Sequence, residues 1–149
     1  THRERVTHLT MLRELQDRTG GFMSFIPLAF QPGYTNIVDR QAAAIEDLKT
    51  IAIARVFLDN IPHIKAYWVT MGEGSASIAL HCGADDMDGT IGEERIMHAA
   101  DAASPVSLTR DRLVELIQKS GCTPVERDAL YHTLNVYDDH KYCESSVSQ

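Results

Sequence analysis

The chain has 149 residues, of which 44% are hydrophobic and 23% charged, the composition of an ordinary globular protein long enough for one domain with a real core. A net charge of −7 without a basic patch argues against a nucleic-acid partner. No apolar run is long enough to span a membrane, and the first residues lack the form of a signal peptide. The cysteines give no disulfide framework, which indicates a reducing, cytoplasmic setting; they are Cys82, Cys122 and Cys143.

The N-terminal part predicts a helix, a buried strand and a loop. Residues 3–19 carry apolar side chains at helical spacing with Arg and Glu on the other face, and Gly20 ends this helix. The nearly continuous apolar run 22–30 predicts a strand buried on both faces, as in a parallel sheet. The polar run 31–36 then forms a loop.

Helices and strands go on alternating in the rest of the chain. A second helix is predicted over 40–58 with Asp39 as its N-cap, followed by a strand over 64–70 and a loop over 71–74. Further elements are a helix over 75–81, a short strand over 84–88, helices over 93–100 and 110–119, the last capped by Thr109, and an extended or irregular segment over 124–128.

This order of elements predicts the fold class. The order α-β-α-β-α-β-α is typical of parallel α/β folds. Three parallel strands with outer helices form an arc and do not close a barrel. We expect one folded unit over 1–137 and a polar, serine-rich tail over 138–149.

The stretch 83–94 concentrates the candidate chemistry, because it combines a strand end, a glycine-containing turn and four carboxylates between Asp86 and Glu94. The carboxyl end of a strand is where α/β folds hold their sites. Glu93 and Glu94 fall in the first turn of the following helix, where the helix dipole favours negative charge. A solvated acidic loop is the alternative that these residues alone leave open.

Other patterns give weaker signals. No HxH or HExxH pattern occurs, which argues against a histidine metal site. Cys82 is interpreted as a buried structural thiol. The run 72–74 has neither the lysine of a P-loop nor a full GxGxxG. Tyr67 and Trp68 alternate along the predicted strand, which leaves core packing and substrate stacking both open.

Several segments taken together resemble one family. They are Leu15-Gln16-Asp17 with Gly20-Gly21-Phe22, and the runs 25–30, 59–69, 83–94 and 124–128. Over about residues 3–134 the chain is similar to the C-terminal part of the aminofutalosine synthases, radical S-adenosylmethionine enzymes of the futalosine route to menaquinone. Cyclic dehypoxanthine futalosine synthases and the FO synthase subunits of deazaflavin biosynthesis are related. The runs 27–30 and 84–90 favour the aminofutalosine synthase group.

The resemblance implies that this chain supplies the last three strands, with their helices, of a TIM-type (β/α) barrel. The first half of such an enzyme holds a CxxxCxxC loop that binds a 4Fe-4S cluster, and the cluster holds S-adenosylmethionine. None of the three cysteines here has that spacing. The chain is therefore expected to lack the cluster ligands and to be inactive alone.

The family mechanism implies what the full-length enzyme does. A 5′-deoxyadenosyl radical adds to the enol-ether double bond of 3-[(1-carboxyvinyl)oxy]benzoate, and loss of a carboxylate as bicarbonate leaves aminodeoxyfutalosine. The implied substrate-binding residues are Gln31, Thr70, Asp88, Thr90 and Glu94, and the implied cofactor-binding residues are Phe25, Ile26, Pro27 and Thr35. A substrate carboxylate also needs a cationic partner, which these positions do not supply and which we expect elsewhere, for example in the missing half.

Two hypotheses for the chain stay open. It is either part of such an enzyme, acting on a small-molecule substrate, or a non-catalytic half-barrel that serves as a binding or assembly module. Because open strands at both ends of an arc invite pairing, we expect the isolated chain to self-associate.

Overall fold

A computed structural model of the chain describes residues 1–30, 41–89 and 107–138. It contains both helices and strands, which confirms a mixed α/β chain, and the described residues form no closed barrel. The elements in chain order are α1 (His2–Thr19), β1 (Ser24–Phe25), α2 (Ala44–Phe57), β2 (His63–Ile64), α3 (Trp68–Met71), α4 (Glu73–Ala79), α5 (Arg110–Lys119), β3 (Val125–Arg127) and β4 (Thr133–Val136).

Helices α1 and α5 begin and end at residues that satisfy their terminal backbone groups. Thr1 and Glu4 form a capping box at the start of α1, and Gly20 ends this helix in the left-handed conformation with φ 58°. The Thr109 side chain accepts a hydrogen bond of 3.2 Å from the Arg112 N–H at the start of α5. The helices predicted over 3–19 and 110–119 are therefore confirmed.

Three chain segments run parallel and side by side, with β2 in the middle. β1 pairs with β2 through Ser24–His63 and Phe25–Ile64. On the other side of β2, Lys65 and Asp86 form a parallel bridge, in which the Ala66 N–H donates to the Asp86 carbonyl at 2.7 Å. Because the segments are parallel, their carboxyl ends meet at one edge of this arc.

The parallel strands are shorter than the sequence predicts. The run 22–30 pairs only over Ser24–Phe25, and the strand predicted over 84–88 contributes the single bridge at Asp86. The strand predicted over 64–70 pairs only as far as Lys65, and from Trp68 onward the chain forms α3 instead. A short apolar run does not distinguish a buried strand from another buried segment, which is why the prediction extended too far.

Two further boundaries differ from the sequence prediction. Helix α2 begins at Ala44 after Ala43, which has no side-chain cap, so the start at residue 40 is wrong. Asp39, the predicted cap, lies outside the described residues, as do the helix predicted over 93–100 and the tail from 139 onward. The run Ala42–Ala44 contains neither a capping residue nor a helix breaker, so the sequence gives no sharp signal for the helix start.

The hydrophobic core lies between the parallel segments and the helices. Helices α2 and α4 pack against each other, and α5 packs against α4. The largest fully buried side chains are Trp68, Ile51, Leu58, Ile61, Ile64 and Val69. The core therefore fixes one face of the arc against the helices.

A β-hairpin formed by β3 and β4 follows α5. The two strands are antiparallel, with Val125 opposite Val136 and an irregularity between Glu126 and Arg127. The segment 124–128, which is predicted to be extended or irregular, contains β3, whereas the predicted elements do not include β4. Leu134 and Val136 alternate with polar residues in β4, and that pattern could have indicated the strand.

Gly83 occupies a turn that requires glycine. Its φ is 110°, and a Cβ at this position would lie 2.7 Å from Cβ of Arg55. Arg55 also donates from Nε to the Gly83 carbonyl at 2.7 Å and pairs with Asp85 through Nη2 at 2.5 Å. The turn that leads into the third parallel segment therefore packs directly against α2.

Replacing Gly83 by alanine is expected to lower the free energy of unfolding by about 1–3 kcal/mol, since it adds backbone strain and a clash. Equilibrium urea unfolding of the protein measures this change. Gly74→Ala is the matched control, because Gly74 lies in α4 with open space around its Cβ position, and it is expected to be neutral or slightly stabilising. Equal effects of the two substitutions would contradict this account.

Candidate functional site

The register of the parallel segments puts polar side chains on the face of the arc opposite the hydrophobic core. Side chains alternate along a strand, and Phe25 and Ile64 face the core. His63 and Lys65 therefore project from the other face of β2. We call this the inner face; in the described part of the chain it carries Ser24, Ile26, His63, Lys65, Asp86 and Asp88.

Lys65 and Asp88 form an ion pair on the inner face. Lys65 Nζ donates to Asp88 Oδ1 at 2.8 Å, and the two side chains are 13% and 23% exposed. Lys65 lies at the carboxyl end of the middle strand, and Asp88 follows the bridge at Asp86 by two residues. Asp88, predicted as the last residue of a strand over 84–88, therefore lies just beyond the parallel bridge.

The backbone of Asp88 is held in a conformation that is uncommon for a residue with a Cβ. Its φ is 67°, in the left-handed region. The Asp88 N–H donates to Asp86 Oδ1 at 2.7 Å, and this local hydrogen bond is of the kind that stabilises aspartate turns. Asp86 therefore fixes the backbone from which the Asp88 carboxylate reaches Lys65.

Asp86 is itself held by the hairpin. Arg127 donates to Asp86 Oδ2 from Nη2 at 2.5 Å and from Nε at 3.0 Å. The Tyr131 hydroxyl donates to the same oxygen at 2.8 Å. With the Asp88 N–H on its other oxygen and a side chain only 8% exposed, the Asp86 carboxylate is nearly enclosed by donors.

Tyr131 anchors the hairpin against the inner face. Its ring stacks on that of His63 with centroids 3.7 Å apart, and the Arg127 guanidinium lies 4.0 Å above it. Burial, together with the neighbouring Asp86 carboxylate, raises the pKa of Tyr131 to about 12. The hydroxyl therefore stays protonated at neutral pH and remains a hydrogen-bond donor to Asp86.

The structure places some of the candidate residues close to this site. Ile26 and Pro27 follow β1 directly, and Ile26 is 37% exposed, so it offers apolar surface at the carboxyl end of the strand. Phe25 packs against the hydrophobic core. Thr70 is buried in α3, and its hydroxyl donates to the Tyr67 carbonyl at 3.3 Å. Gln31, Thr35, Thr90 and Glu94 lie outside the described residues.

The candidate residues predicted from the sequence do not include Lys65, Arg127 or Tyr131. One signal was available for Lys65, because it interrupts an apolar strand between Ile64 and Ala66. A charged side chain in such a run is seldom buried unless it is paired. Arg127 and Tyr131 reach the site only through the packing of the hairpin, which local patterns do not reveal.

The described residues do not fit an iron–sulfur cluster. They contain no group of three or more His, Cys, Asp or Glu side chains that could hold a metal ion. Cys82 and Cys122 are free thiols in different parts of the fold.

Among the residues that the structure describes, no helix combines the length and apolar character needed to cross a bilayer.

Comparison with known proteins identifies the family. The model of the CofH/MqnC C-terminal region matches residues 19–140, which is most of the chain. The chain belongs to this family. The match confirms the resemblance, and it covers the segments 25–30, 59–69, 83–94 and 124–128 on which the resemblance depends.

Three relatives illustrate the range of the family. Aminodeoxyfutalosine synthase of Thermus thermophilus is 47% identical over 143 residues, 93% of this chain and 38% of the relative. Cyclic dehypoxanthine futalosine synthase of Streptomyces coelicolor is 44% identical over 140 residues, 93% of this chain and 35% of the relative. 5-Amino-6-(D-ribitylamino)uracil–L-tyrosine 4-hydroxyphenyl transferase of Methanococcoides burtonii is 38% identical over 143 residues, 90% of this chain and 40% of the relative. The chain thus spans well under half the length of these relatives.

Proposed function

We propose that this chain is the C-terminal part of a radical S-adenosylmethionine enzyme, an aminodeoxyfutalosine synthase of menaquinone biosynthesis. The observation that carries the proposal is the 47% identity with the Thermus thermophilus enzyme across 93% of the chain. The identity of 44% with a cyclic dehypoxanthine futalosine synthase makes that activity the alternative. In the full-length protein the three parallel segments would be the last strands of a TIM-type barrel.

The chemistry would be divided between the two parts of the barrel. The preceding part would supply the CxxxCxxC ligands of the 4Fe-4S cluster, so the chain alone would be inactive. The cluster and S-adenosylmethionine together would supply the adenosyl radical that adds to the enol ether of the substrate. The residues of this chain would bind and orient the reactants and exclude water from them.

The inner face suits this role. Ile26 and Pro27 offer apolar surface at the carboxyl end of β1, where the adenine would pack. Phe25 would support them from the core side. Thr35 is proposed to assist in cofactor binding, while Gln31, Thr70, Thr90 and Glu94 are proposed to line the substrate cavity with Asp88.

Two further proposals concern the setting of the chain. The free thiols Cys82 and Cys122 support a reducing, cytoplasmic location. Leu28 and Phe30, which follow the edge segment β1, are exposed, and this apolar surface supports self-association of the chain when it is isolated. The size of the isolated chain in solution would test the second of these proposals.

The test of function uses the full-length protein, purified without oxygen and with its cluster reconstituted. With S-adenosylmethionine, a reductant and 3-[(1-carboxyvinyl)oxy]benzoate it is expected to form aminodeoxyfutalosine, detected by mass spectrometry. A variant with alanine in place of the upstream cluster cysteines is the control and is expected to form none. Turnover of dehypoxanthine futalosine and not of the enol ether would establish the alternative activity and overturn the proposal.

A further inference from the structure

The inner face contains a lysine with unused hydrogen-bonding capacity. An ammonium group has three donors, and among the described residues Lys65 Nζ bonds only to Asp88. A second cation, Arg127 of the hairpin, contacts the inner face but reaches Asp86 with two nitrogens and the Asp128 carbonyl with its third at 2.9 Å. Lys65 is therefore the inner-face cation in the described part of the chain that has donors left for a ligand.

The position of Lys65 in the arc suits contact with a substrate. It lies on the middle strand, between Ile26 on one side and the segment with Asp86 and Asp88 on the other. A group bound at Lys65 would thus lie beside the apolar surface proposed for the adenine. A radical reaction needs the two reactants in direct contact, and this arrangement would provide it.

The ion pair also explains how a mostly buried ammonium group is stabilised and oriented before a ligand binds. Burying an unpaired charge is costly, and Asp88 offsets that cost in the absence of substrate. The left-handed turn at Asp88, held by Asp86, fixes the carboxylate, so one hydrogen bond orients the lysine side chain. A ligand carboxylate can then accept a second hydrogen of the same ammonium group.

We propose that Lys65 binds the aromatic carboxylate of the substrate and that Asp88 is the positioning residue for its ammonium group; this rests on the proposed function. The aromatic carboxylate is chosen over the one on the enol ether, because the latter is lost during the reaction. A cation bound to the departing carboxylate would stabilise the starting state, whereas an anchor on the retained group leaves the reacting atoms free. Lys65 is thus the cationic partner that the substrate carboxylate requires, and it lies in this chain.

The test compares the acid substrate with its analogue in which the ring carboxylate is a carboxamide, using the full-length enzyme. The native enzyme is expected to prefer the acid in kcat/KM by about tenfold or more, as expected for a charge-assisted hydrogen bond. Lys65→Gln is expected to abolish most of this preference through a higher KM for the acid, and Lys65→Arg to restore part of it. Lys49→Gln removes an exposed lysine paired with Glu46 on α2 and is expected to keep the full preference.

Two variants of Asp88 test its role through the same preference for the acid substrate. Asp88→Ala is expected to reduce the acid preference, and Asp88→Asn, which keeps an acceptor oxygen for Lys65, to retain most of it. Circular dichroism and thermal melting identify variants that fail to fold. If the native enzyme is active and Lys65→Gln is folded but keeps the preference, the inference fails and the proposed function stands. If the native enzyme forms no product from the acid, the proposed function fails, and this inference fails with it.

Discussion

Replacing Asp86 by alanine is expected to lower the free energy of unfolding by about 3 kcal/mol, the lower end of the cost of removing one partner of a buried ion pair, because the Arg127 side chain is 22% exposed. The substitution leaves the Arg127 guanidinium, the Tyr131 hydroxyl and the Asp88 N–H without the oxygens that they share now. It also removes the anchor between the hairpin and the third parallel segment. Urea unfolding of the protein, followed by circular dichroism, measures the change.

The pairing of Asp86 with Arg127 can be isolated with a double substitution. Arg127→Met keeps the aliphatic length of the side chain, and the double variant Asp86→Ala/Arg127→Met is expected to lose less stability than the sum of the single variants. Lys119→Met is the control, because its pair with Glu115 on α5 is 69% and 44% exposed and is expected to contribute little. If the losses of stability in the two single variants add up to the loss in the double variant, the two side chains do not stabilise each other.

The sequence predicted the elements whose signals are local. α5 follows from helical spacing, the cap at Thr109 and the glycine past its end, and these signals act within one or two turns. The lengths of the strands could not be predicted in the same way, because pairing depends on residues that are distant in the chain. Lys65 meets Asp86 across 21 positions, and the bridge ends where the chain turns into α3.

The candidate site was predictable only in part. The sequence makes Asp88 a candidate because glycines and carboxylates lie at and after a strand end, and that local pattern is typical of sites in α/β folds. Its lysine partner was not found, because nothing in the local sequence relates Lys65 to Asp88. Arg127 is even more distant from its partner along the sequence, since its contact with Asp86 spans 41 positions and depends on the hairpin. Network partners of this kind require the three-dimensional structure.

Trp68 is expected to behave as a core residue. It is fully buried at the start of α3, and its indole N–H donates to the Gly89 carbonyl at a long 3.4 Å. Trp68→Ala is expected to lower the free energy of unfolding by about 3–5 kcal/mol, since it removes the largest core side chain and leaves a cavity. Trp68→Phe keeps most of the apolar volume and is expected to cost about 1–2 kcal/mol.

The kinetic readout decides between core packing and substrate stacking, the two interpretations that the sequence left open. If Trp68 supports the site from the core, a folded Trp68→Phe enzyme keeps the KM of the native enzyme while its stability falls. If Trp68 stacks on the substrate, KM rises and stability changes little. Val56→Ala is the control, because Val56 lies on α2 with 82% exposure and its truncation opens no cavity. The structure favours the first result, because a side chain with no exposed surface has none to offer a ligand.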